Sequence, residues 1–307
     1  MEEVRKLLTR NDTKKWLTSM EVKNNDSPYC KLCCVNITSY TIGKTCGAHT
    51  LCKYPPEVIG PSCKGYVNVK FTPEEQAAIL DAHNTIRSNV ASGLESRGDP
   101  GPQPAASNMR MLMWNNELAT IAERWGAQCI FGHDKCRDTV LYPVGQNLAR
   151  GNLATNNELS LVDEWYDDVV YFNKDEIANF IMPKDGDHPA GRYSQLVWAD
   201  TNQLGCARAI FQQARGANIS YQEHLICNYG PSGNIPNQPV YKVGKPCTSC
   251  PQGTACSMDY SGLCEIEKKY GRMDKLSVKS ESSMGKTAFL MFIIQSCNIY
   301  LCLYILH

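Results

Sequence analysis

The chain has 307 residues, 43% of them hydrophobic, with 31 basic and 31 acidic side chains. That is room for one large domain or two ordinary ones with a packed core, and a formal charge of zero without a basic block excludes an electrostatically driven nucleic-acid partner. The 16 cysteines, an even set gathered in loop-rich segments, argue for a disulfide framework in an oxidising compartment and against a reduced cytosolic protein.

Residues 1–28 are polar and are expected to be disordered. The opening MEEVRKLLTRNDTKKWL is charged and has no apolar run, so it is not a secretory signal. With this cysteine content, the expectation is that the true first exon lies outside the sequence as written. Sequons at Asn11, Asn25, Asn36 and Asn218 are compatible with secretion. Residues 29–70 are rich in Cys, Gly and Pro and predict loops held by disulfides. From Thr72 the pattern becomes helical. Thr72-Pro73-Glu74-Glu75 is a capping box with proline at the first helical position, and Ile79, His83, Ile86 and Val90 recur on one face.

The stretch 92–107 breaks this helix. A second helix is predicted over Asn115–Cys129, with Leu118, Ile121, Ala122 and Trp125 on its stripe, and a third over Asn157–Phe172, with Leu161, Trp165 and Val169. Strands are predicted at Gln195–Trp198, Gly205–Phe211 and His224–Cys227. Helices first and strands later indicate an α+β layered domain. A four-cysteine module follows at 242–264, then a charged linker (265–287) and an apolar run (288–307). Gln295, Ser296 and Asn298 interrupt that run, so it spans a bilayer only marginally; membrane or GPI attachment through it is one reading, a stray tail the other.

Two segments carry a family resemblance. GRYSQLVW (191–198) is similar to the first motif of the CAP superfamily (cysteine-rich secretory proteins, antigen 5 and pathogenesis-related 1), and HLICNYGPSGNI (224–235) fits its second motif. VGQNLA (144–149) and EWYDD (164–168) look like the remaining motifs. The segments GLESRGDPGPQPAASNM, LMWNNELATIAERWGAQC and GHDKCRD resemble insect venom allergen 5 proteins, and the resemblance spans about residues 29–241. It implies an α-β-α sandwich over 71–241. It also implies disulfides Cys30–Cys52, Cys34–Cys136, Cys63–Cys129 and Cys206–Cys227, and leaves Cys33 and Cys46 over, a further staple with each other being one open pairing. The module resembles the small cysteine-rich hinge of longer relatives. Its Cys247, Cys250, Cys256 and Cys264 suit either a zinc site or, preferably in a secreted chain, two further disulfides of open pairing.

Many CAP proteins place two histidines and two acidic residues in a central cleft that can hold a divalent metal. The positions matched here are His83, Gln146, Asp168 and Arg192. Arginine stays protonated and has no lone pair to offer a metal, and Gln146 removes a negative charge. The expectation is therefore no metal and no other cofactor, with Arg192 either paired to Asp168 in the metal's place or pointing to solvent. His83 shares a stripe with Ile79 and Ile86, so a satisfied, half-buried histidine is an equal reading to a ligand. Ser194, His83 and Asp168 form a conceivable hydrolase set, but no G-x-S-x-G elbow surrounds Ser194, and no catalysis is expected. Trp114, Trp125, Trp165 and Trp198 are expected in the core, and Asn147 and the 228–234 loop as hydrogen-bonding braces. The resemblance implies a secreted binding or effector protein, with small lipids, sterols or host proteins as partners, and a lipid carrier as the alternative.

Overall fold

The first helix forms because its start is doubly capped. In the computed structural model, which describes residues 49–182, 189–215 and 218–267, the Thr72 hydroxyl accepts from the Glu75 amide and the Glu75 carboxylate accepts from the Thr72 amide. These bonds satisfy donors that a helix N-terminus leaves open. A short helix α1 (Thr50–Lys53) precedes it, and α2 runs Pro73–Ala91. Strand β1 (Met113–Trp114) leads into α3 (Asn116–Gly126), where Asn115 caps the amides of Glu117 and Leu118. Then come β2 (Gly145–Asn152) and α4 (Glu158–Asp167), which passes into a 3-10 turn at Asp168–Tyr171. Helix α5 (Pro189–Leu196), β3 (Gln203–Arg215) and β4 (Asn218–Gly230) complete the domain, and β5 (Thr254–Cys256) pairs with β6 (Cys264–Ile266) in the terminal module.

The sheet order is β1-β3-β4-β2, with β1 parallel to β3 and the other pairs antiparallel. Alternation along β4 sends Leu225, Cys227 and Tyr229 to one face and Ile226 to the other. The first face meets Ile79, Ile86, Leu161 and Trp165 in the main core; the second meets Ala122 and Trp125 of α3 in a smaller one. Helices α2, α4 and α5 thus cover one side and α3 the other, the α-β-α sandwich. Gly205 lets α3 lie directly on β3, since a Cβ there would stand 2.2 Å from the Ala119 nitrogen.

One predicted strand is corrected. Gln195 and Leu196 end α5, and Val197 and Trp198 follow it outside any strand. A short apolar run does not distinguish a buried strand from a buried helical turn; here Ala190, Tyr193, Ser194 and Leu196 are all buried on one helix. The second helix ends at Gly126, three residues earlier than predicted, and Cys129 adopts φ 52° to reach Cys63.

Disulfides join Cys63–Cys129, Cys206–Cys227, Cys247–Cys256 and Cys250–Cys264. The last two resolve the module's pairing without zinc. Cys136 is also disulfide-bonded. Its expected partner Cys34, together with Cys30, Cys33, Cys46, the polar N-terminus, nearly all of the linker and the apolar tail, lies outside the described residues. Among the described residues no helix is long and apolar enough to cross a membrane.

Candidate functional site

His83 is not in a cleft. It stands mid-way along α2 with 0% exposure, its Nδ1 2.7 Å from the Ile79 carbonyl oxygen and its Nε2 3.0 Å from the Tyr229 hydroxyl. A carbonyl can only accept, so Nδ1 carries the proton and Nε2 accepts from Tyr229. Burial, with the Arg87 charge adding, pushes the His83 pKa down to about 4 against the pull of the Ile79 carbonyl, so the ring is neutral. Both nitrogens are used, which corrects the sequence-based placement of His83 among the cleft residues.

The histidine that meets Gln146 is His133. Its Nδ1 lies 2.9 Å from Gln146 Oε1, and Gln146 Nε2 donates to Asp134 Oδ1 and Asn228 Oδ1, each at 3.0 Å. Asp134 also accepts from the Arg137 guanidinium and the Thr50 hydroxyl, which ties α1 and the 132–138 loop to β2. Sequence reasoning quoted Gly132-His133-Asp134 but did not read it as a site. The available signal was the polar pair His133-Asp134 held between Cys129 and Cys136, with His133 13 residues before Gln146.

On the other side of β2, Arg192 and Asp168 form a bidentate pair. Nε donates to Oδ2 at 2.6 Å and Nη2 to Oδ1 at 3.1 Å, with the Asp168 side chain only 9% exposed and that of Arg192 30%. Asn147 Nδ2 donates to the Arg192 carbonyl at 3.0 Å, so adjacent β2 residues reach the His133 side and the Arg192 side. This is the pairing of Arg192 with Asp168, not its solvent-facing alternative. Ser194 is fully buried, and its hydroxyl donates to Asn234 Oδ1 at 2.6 Å. Gln195 Oε1 accepts from the Gly233 amide, so the 191–195 helix and the 233–234 loop brace each other.

These residues do not fit a divalent cation. His83 is outside the cleft with both nitrogens used, the Nδ1 of His133 faces Gln146 Oε1, Gln146 brings a neutral amide already engaged three ways, both Asp168 oxygens face a guanidinium, and Arg192 has no lone pair. Among the described residues, no three His, Cys, Asp or Glu side chains gather closely enough to hold a metal ion. The ion pair does hold the α4 end to α5. Arg192→Ala is therefore expected to cost about 1–3 kcal/mol by removing two charge-assisted hydrogen bonds from a nearly buried carboxylate. In a thermal-melt double-mutant cycle, adding Asp168→Asn should cost clearly less than the sum of the single changes; simple additivity would refute the coupling.

The sequence profile of the cysteine-rich secretory protein family, CAP, matches residues 80–229. The venom allergen 3 homolog of Dinoponera quadriceps is 41% identical over 216 residues, covering 67% of this chain and 90% of that protein. The chain belongs to the CAP family. Venom allergen 5 of Dolichovespula arenaria is 41% identical over 70% of this chain and 98% of its own length. Among solved structures, Na-ASP-1 superimposes with a TM-score of 0.52 at 25% identity, covering 68% of this chain and 51% of that one, so this CAP chain spans about half of Na-ASP-1. BmVAL-1 shares the fold, with a TM-score of 0.51 at 22% identity over 69% of this chain and all of its own.

Proposed function

We infer that this CAP protein is an extracellular binding or effector protein that carries out no hydrolysis. The observation that carries the reading is the state of the groups hydrolysis would need. The Ser194 hydroxyl is buried and given to Asn234, His83 is committed to Ile79 and Tyr229, and Asp168 is held by Arg192. A serine nucleophile needs a base within hydrogen-bond reach and a third group to orient that base, and these three side chains each have other partners. Relatives named as venom allergens support an extracellular role, as do the disulfides among the described residues.

The partner class is a host protein or a small lipid. A groove of about 240 Å³ lies between residues 66–71 and α3. It is lined about equally by polar groups, among them Asn68, Lys70 and Arg208, and by apolar ones, among them Tyr66, Val69 and Phe71, so its chemistry suits either class of partner.

The test pairs two measurements on the oxidatively folded full chain. Zinc titrated by calorimetry should give no binding heat, and fluorogenic ester and peptide panels should show no turnover that Ser194→Ala removes. A zinc site of micromolar or better affinity, or Ser194-dependent turnover, would overturn the reading.

A further inference from the structure

Three carboxylates and one guanidinium meet where the sheet passes under the starts of α2 and α4. Arg208 on β3 is opposite Leu225 in the β3–β4 register, so Glu223, two residues before Leu225 on β4, is its diagonal neighbour on the same face. Arg208 Nη2 lies 2.9 Å from Glu75 Oε1, and its Nη1 3.9 Å from Glu158 Oε2. Its guanidinium also sits 4.8 Å from the Phe71 ring centre. Glu75 is already bound to the Thr72 amide as part of the α2 cap, and Glu158 is the first residue of α4. Glu223 is 1% exposed, and its Oε1 has no hydrogen-bond partner; Arg208 Nε is likewise buried and unpartnered. From β2, the residue paired with Glu223 is Gly151, which brings no side chain. The β2 cation Arg150 pairs in register with His224, on the opposite face, and stacks on Phe131.

We propose that Glu223, held against Glu75, Glu158 and Arg208, is an acid-base latch: protonated, it lets β4 pack tightly under the α2 and α4 starts, and ionised, it loosens that joint. One guanidinium balances Glu75 and Glu158 incompletely, and among the described residues a third negative charge in this dry position finds no second cation. Burial, with the Glu158 charge adding and Arg208 opposing, raises the Glu223 pKa to about 7. The folded pKa lies above the unfolded one. The folded state therefore holds the proton longer, and stability from this group falls as pH rises from the ordinary carboxylate range through neutrality.

The experiment is thermal melting and amide hydrogen exchange of the full chain, wild type beside Glu223→Gln, from about pH 5 to about pH 8. Glutamine mimics the protonated form. The two proteins should match at the acid end, and the variant should melt several degrees higher at the alkaline end. Wild-type exchange at β4 and the first turns of α2 and α4 should quicken with pH beyond the intrinsic rate, and the variant's should not. Glu158→Gln should move the wild-type transition to higher pH only if Glu158 relieved the burial cost; because it adds repulsion, the transition is expected to move lower. Parallel pH profiles for wild type and Glu223→Gln, or an unmoved transition in Glu158→Gln, would overturn the proposal.

Discussion

Arg87→Leu is expected to remove at least about 4 kcal/mol of stability, the scale of breaking a buried polar network. For a domain stable by about 5–15 kcal/mol, that is enough to leave much of the protein unfolded at physiological temperature. Arg87 lies on α2 with 0% exposure. Its guanidinium donates to the carbonyls of Arg110, Leu196, Trp198, Ala199 and Thr201, at 2.6–3.4 Å. Burial, with the Arg110 charge adding, pulls its pKa down to about 9, so the cation persists at neutral pH. Leucine would fill part of the space and leave the carbonyls of Arg110, Leu196, Trp198 and Thr201 without a donor, each costing about 1–3 kcal/mol where water does not reach, while the Ala199 carbonyl keeps the Arg110 amide. Those carbonyls shape the turn leaving α5, so the Arg192–Asp168 pair should be lost with them. Arg87→Lys has fewer donors and no planar fork and should fall between. Urea denaturation decides the matter: a leucine variant with the wild-type midpoint would show that water or rearrangement meets these carbonyls.

The paired change Cys250→Ser/Cys264→Ser is expected to cost about 3 kcal/mol, from opening a loop with sequence separation 14. The effect should extend beyond the module. Cys264 exchanges backbone hydrogen bonds with Met109 and Met111, Leu263 is buried in the main core, and Ser88 of α2 and its C-cap Ser92 donate to the Ser261 carbonyl. The hinge-like module is thus part of how α2 is covered. Denaturant midpoints of the two proteins, read with the tryptophans of the main core, measure it. If the variant unfolds its module at low denaturant while the core signal keeps its wild-type midpoint, the module is an independent appendage.

Much of the fold was legible because local chemistry specified it. The Thr72–Glu75 box and the stripes of α2, α3 and α4 each concern neighbours within one or two turns, and Ile219, Tyr221, Ile226 and Tyr229 give β4 strand-like content. Gln195–Trp198 misled because four apolar and polar residues carry no period long enough to choose between helix and strand. The site was harder. His83 and His133 both sit beside residues of the right kind, and only the tertiary partners separate a histidine bonded to its own helix from one bonded to a strand. Arg87 stood four residues after His83 on the apolar stripe of α2, a signal for a buried guanidinium that periodicity alone reads as a solvated charge.

The sequence by itself determined the order of most elements, the cap of α2, the family motifs and the loss of metal-ligand chemistry at Arg192, because each depends on residue identity and short spacing. The tertiary structure alone decided that Arg192 grips Asp168, that His133 faces Gln146, that Arg87 serves five carbonyls, and that Glu223 is walled in with two other carboxylates. Those facts depend on which elements pack together and on how far water is excluded between them, and spacing along a chain does not encode either.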